Sequence, residues 1–109
     1  MKRGELWWEV PDPIASPYNG SLRPVVVSSS NWWNKAKPPL VAVVPIASNG
    51  IPTPHSIEVP AGTGGLPNKS ALLPEHLRYV DRRRLFAPIG GELSGETMAK
   101  LRDVLLLTL

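Results

Sequence analysis

A chain of 109 residues with a formal net charge of +3 and no cysteine falls in the size range of one domain, so residues 1–109 read as a single domain. The missing thiols exclude a disulfide framework, a cysteine nucleophile and a cysteine-based zinc site, and His55 and His76 are too few and too far apart to suggest another metal site. No apolar run approaches the roughly 20 residues of a membrane span, and the charged start MKRGELWW lacks a signal-peptide core, so the expectation is a cytoplasmic protein without membrane attachment.

Thirteen prolines are spread along the chain; they punctuate short strands and exclude long helices over most of it. GELWWEV (4–10) has the length and aromatic content of a first strand, and PDPIASPYNGS (11–21) reads as a long loop of turn residues. LRPVVVSS (22–29) and LVAVVPI (40–46) are expected as the second and third strands. The adjacent tryptophans Trp7 and Trp8, and Trp32 and Trp33, are expected in strand-like pairs with one ring facing the core and one facing out. HSIEVP (55–60) alternates polar and apolar residues as a half-buried strand does. AGTGGLPN (61–68) has neither Walker spacing nor GxGxxG, so it is a loop and no phosphate cradle. SALL (70–73) and LRYVD (77–81) flank Pro74 as two short pieces. Only LSGETMAKLRDVLLLTL (93–109) reads as helical, with Ser94 as N-cap, Leu93 and Met98 at staple spacing, and Met98, Leu101, Val104 and Leu105 on one face. The order predicts a mainly β fold: a small curved antiparallel barrel with a C-terminal α-helix over one opening.

Several residues are candidates for chemistry. Arg78, Arg82, Arg83 and Arg84 fall in one stretch, and Lys2, Arg3, Arg23, Lys35 and Lys37 in the first third, a distribution that fits an anionic ligand as well as a solvated face. Arg23 stands where the polar loop enters an apolar strand. Its planar fork suits a phosphate, and an ion pair with Glu5, Asp12 or Glu75 is the alternative. The tip Ser48-Asn49-Gly50 is either a turn or the display of a hydroxyl. Glu75 and His76 are titratable neighbours that either move a proton near neutral pH or decorate the surface.

MKRGELWWEVPDP (1–13), RPVVVSSSNWWN (23–34), VVPIASN (43–49), LPEHLRYVDRRRL (73–85), IGGELS (89–94) and the terminal amphipathic helix occur in the order found in MazF/PemK-type toxins. The resemblance covers nearly the whole chain. It implies an SH3-like barrel of the MazF/CcdB type, a homodimer, and a ribosome-independent endoribonuclease that cuts single-stranded RNA with no metal and no cofactor. A MazE-like antitoxin with an acidic C-terminal segment is the implied inhibitor, and operator DNA is reached only through the antitoxin complex. Carried over position by position, the resemblance makes Arg23, Ser48 and Glu75 catalytic and Lys35, Asn49, His76 and Arg78 RNA-binding.

One departure matters. The family usually has Thr where this chain has Ala47, so Ser48 must replace that hydroxyl, and it reaches the same face only if the strand bends or bulges there, as Asn49-Gly50 would allow. Otherwise one donor to the phosphate is missing, which typically costs about 100–1000-fold in rate, and the chain is a weakened relative that binds RNA, antitoxin or operator DNA. A gyrase poison of the CcdB type is disfavoured, because the chain ends VLLLTL without an aromatic tip.

Overall fold

The computed structural model describes residues 1–10, 22–48 and 53–108. Among these are seven strands, β1 (Glu5–Glu9), β2 (Arg23–Val27), β3 (Leu40–Ala47), β4 (Ile57–Val59), β5 (Ser70–Leu72), β6 (Arg78–Asp81) and β7 (Leu85–Glu92), with helices α1 (Asn31–Lys35) and α2 (Gly95–Thr108). The sheet runs β4-β5-β3-β2-β1-β7, with β6 also paired to β3. All pairings are antiparallel. β3 is the organiser: one edge holds β2, while the other holds β6 along its first half and β5 at its end. A strand shared in this way curls the sheet into a half-barrel.

Valine runs on β2 and β3 follow from burial on both faces of that sheet. Val26, Val44 and Ile46 join Leu6, Met98 and Leu101 in one core cluster, whereas Val25, Val27, Val41, Val43 and Val80 form a second on the opposite face. Each fully buried valine contributes about 1.5–3 kcal/mol, so neither face of these strands tolerates water. Helix α2 closes the first cluster. Ser94 caps it, its Oγ accepting from the Thr97 N–H at 3.1 Å and its carbonyl from the Met98 N–H at 3.0 Å, and Leu93 packs with Met98 as the staple spacing requires.

The Gly-rich segment 61–68 is used for packing. Gly64 has φ +56°, and a side chain there would collide with Leu6; a Cβ on Gly91 would lie 2.8 Å from the Gly64 Cα. Only paired glycines allow this loop to lie on β7.

Two expectations change. Residues 31–35 form a short helix, not a strand-like pair: Ser30 Oγ accepts from the Trp33 N–H at 3.2 Å, and both Trp32 and Trp33 are exposed. The first pair does divide between faces, with Trp7 against the second cluster and Trp8 in a cleft on the other side. β7 is a strand beyond those expected; as the edge of the sheet it accommodates Pro88, Gly90 and Gly91. No helix among the described residues is long and apolar enough to cross a membrane.

Candidate active site

Arg23 opens β2 and lies opposite Glu9 of β1. Side chains alternate along a strand, so Arg23 shares the face of Val25 and Val27, the face to which Trp7 also turns. Glu9 is fully buried there. Its carboxylate accepts from both ends of the Arg78 fork at 2.5 Å, Nη1 to Oε2 and Nη2 to Oε1. Arg84 approaches the same carboxylate at 3.9 Å and donates its Nε–H to the Val10 carbonyl at 3.0 Å. The hydrogen bonds to Glu9 raise the Arg78 pKa above its ordinary value, against the opposing effect of desolvation. A buried acid is tolerable only with such compensation.

Arg23 differs from both of these arginines. It is exposed, and among the described residues it has no ion-pair partner. Of the three acids weighed as partners, Glu5 approaches the terminal amine, Glu75 accepts from Thr53 Oγ1 at 3.0 Å, and Asp12 lies outside the described residues.

Ala47 and Ser48 fall on opposite faces. Val25 pairs with Pro45 and Val27 with Val43; carrying that register two residues further sets Ala47 across from Arg23. β3 ends at Ala47, and Ser48 follows it in a bend. Ser48 instead lines a cleft of about 280 Å³ with Trp8, Leu22, Pro24, Leu66 and Ser70. Ser48 thus lies with Trp8 and Pro24, a cross-strand pair whose side chains alternate away from the Arg23 face, and the structure does not bring it beside Arg23.

The other candidates divide into groups. Glu75 and His76 are exposed on the 3-10 turn Pro74–His76, and Thr53 is the hydroxyl the structure adds beside Glu75. Arg78 is held on Glu9, with a little over a third of its side chain exposed. Lys35, at the end of α1, lines a depression of about 420 Å³ with Lys2, Asn31, Asn34, Lys37 and Arg82. Asn49 lies outside the described residues. Among the described residues no three His, Cys, Asp or Glu side chains gather as metal ligands.

Glu9 is the residue that sequence reasoning missed. Its partner Arg78 is 69 residues away, and the available signal was an acid at an inward position of an otherwise apolar and aromatic strand, WWEV.

A half-barrel with a capping C-terminal helix has counterparts among solved structures. The chain is 28% identical over 110 residues to Endoribonuclease EndoA of Bacillus subtilis, covering 100% of this chain and 94% of that protein. It is 32% identical over 114 residues to Endoribonuclease MazF9 of Mycobacterium tuberculosis, covering 100% and 96%. A solved MazE-MazF complex from Deinococcus radiodurans superposes with a TM-score of 0.75 at 25% identity, over 100% of this chain and 96% of that one. The family model for the PemK-like, MazF-like toxin of type II toxin-antitoxin systems matches residues 2–109, and the chain belongs to that family.

Proposed function

We propose that this toxin is an endoribonuclease that cuts single-stranded RNA without a metal, acts in the cytoplasm as a homodimer, and is restrained by a MazE-like antitoxin. The observation that carries the reading is Arg23: a permanently charged fork, exposed and without an ion-pair partner among the described residues, beside two arginines already occupied by Glu9. The names of the relatives supply the substrate class, and the solved complex supplies the class of partner.

Cleavage without a metal has fixed requirements. A base takes the proton of a 2′-OH, the freed oxygen attacks the adjacent phosphorus in line, and the 5′-oxygen departs with a proton. The ends are a 2′,3′-cyclic phosphate and a 5′-hydroxyl. Arg23 cannot be the base, because it does not deprotonate; it stabilises the charge that builds on the phosphorane. Glu75, exposed and hydrogen-bonded to Thr53, is the group assigned to proton transfer. His76, Asn49 and Lys35 contact RNA, and Arg78 offers the donors that Glu9 leaves unused. An acidic antitoxin segment competes for the same cations, and operator DNA is reached only through that complex.

Incubation of the purified protein with mixed-sequence RNA in EDTA should give discrete cuts with cyclic phosphate ends. Random or metal-dependent cleavage would contradict the proposal. A second reading, a slow enzyme that acts mainly by binding, is favoured by one observation: Ala47 faces Arg23 while Ser48 faces away.

A further inference from the structure

A second group of cations lies away from Arg23. Lys2, Lys35, Lys37 and Arg82 line the 420 Å³ depression, and none has an ion-pair partner among the described residues. The neighbouring arginines are spent on acids: Arg83 on Asp81, and Arg78 and Arg84 on Glu9. Four like charges around one depression repel each other unless an anion joins them, and a polyanion does so with release of its counterions.

The frame around them is hydrogen-bonded. Asn34, buried at the base of α1, donates to the Ser29 carbonyl at 2.9 Å and accepts from Ser29 Oγ at 2.6 Å. Trp33 donates its indole N–H to the Leu40 carbonyl at 2.9 Å. Lys37 is the one non-glycine residue with positive φ among those described, at 50°, and its N–H is tied to the Asn34 carbonyl at 3.1 Å. Strain of that kind is retained where the surroundings fix it and often marks a ligand clamp.

On α1, whose Asn31, Asn34 and Lys35 line the depression, Trp32 is 81% exposed. No packing role accounts for so large an apolar ring in water. Cations that follow a backbone and an aromatic ring that accepts a base are together the apparatus of single-strand binding.

Position separates this surface from the chemistry. β2 rises about 13 Å from Arg23 to Val27, and the Val27 carbonyl accepts from the Gly4 N–H at 2.8 Å, which brings the N-terminal residues to the far end of that strand. The gap exceeds the Debye length of about 8 Å at physiological salt, so these cations act on binding and hardly on the reacting phosphate.

We propose that the depression and Trp32 form a second RNA site, gripping phosphates and one base of the strand that flanks the cut. The ligand class rests on the nuclease reading above; the site itself rests on the depression, its cations and the ring.

The test uses two probes, a long single-stranded RNA with one cut site and a short oligonucleotide covering only that site. Binding is measured in an Arg23→Ala background so that the RNA survives, and cleavage in the wild-type background. The triple variant Lys35→Gln, Lys37→Asn, Arg82→Gln removes three charges, with Asn chosen because it accepts the backbone of residue 37. It should weaken long-RNA binding about tenfold or more and make the salt slope shallower by about 2. Trp32→Ala should cost about fivefold or more. The short oligonucleotide should lose far less in each case. Unchanged long-RNA affinity and salt slope would overturn the site. So would Trp32→Ala splitting a dimer with RNA affinity intact, which would give this face to a second copy. If the predicted binding losses occur but the wild-type protein cuts neither RNA, the site stands and the nuclease reading falls.

Discussion

Two groups of cations at different places on one small sheet behave in opposite ways. Around Glu9, Arg78 and Arg84 are bound to a fully buried acid, and their charge is consumed in holding β1 to β6 and to the turn before β7. Around α1, Lys2, Lys35, Lys37 and Arg82 line an open depression, with no acid paired to them among the described residues. Arg23 sits next to the first group in space and resembles the second in state. The difference teaches that a count of basic residues says little about ligand binding: the geometry decides which charges the fold has already used.

The comparison is most exposed to substitutions near Arg23. Ala47→Thr places a hydroxyl across from that arginine, and if the site lacks a donor the cleavage rate should rise by about 100–1000-fold, measured under single-turnover conditions. No gain would mean that another group already serves the phosphate.

Next in size is Glu9→Gln. Removing one partner of a buried ion pair costs about 3–5 kcal/mol; partial exposure of Arg78 puts the expected loss near the lower end, about 3 kcal/mol. Denaturant unfolding measures it, and a loss below about 1 kcal/mol would reduce the pair to surface decoration. The open group should behave differently. Lys35→Gln and Arg82→Gln should shift stability by less than about 0.5 kcal/mol, since neither is paired among the described residues.

The smallest effect is at Asp81, whose carboxyl is lowered to about 2 chiefly by the side-chain hydrogen bonds of Arg83 and then by the Arg83 N–H. A depressed acid stabilises the fold above its unfolded pKa of about 3.9, and here the benefit disappears as pH falls through about 2. The pair is exposed and screened, so Asp81→Asn should flatten the acid limb of the stability curve only slightly. An NMR titration of Asp81 near its ordinary value would contradict the pairing.

Legibility in the sequence followed the range of the forces involved. β2 and β3 announce themselves because valine on both faces is a local signal, and α2 does so through Ser94 and its apolar spacing. α1 was hidden: five residues with two tryptophans read as strand, and its formation depends on Ser30 and on the Ser29 to Asn34 bonds. β7 was hidden by its proline and glycines, which only an edge strand tolerates and which the approach of Gly64 to Gly91 requires. At the site, Ser48 follows the end of β3 and lines the Trp8 cleft, a placement that depends on the bend after Ala47. The burial of Glu9 under an arginine from the far half of the chain left no local trace.

The central claim is that Arg23 is the arginine left free for the reacting phosphate. Single-turnover cleavage of a long RNA in EDTA by wild-type, Arg23→Ala and Arg23→Lys proteins, with the product ends identified, tests it most directly. The account predicts cyclic phosphate ends from the wild type, a loss of at least about 100-fold for Ala, and poor rescue by Lys, which lacks the planar fork. Cleavage by Arg23→Ala at the wild-type rate would contradict it.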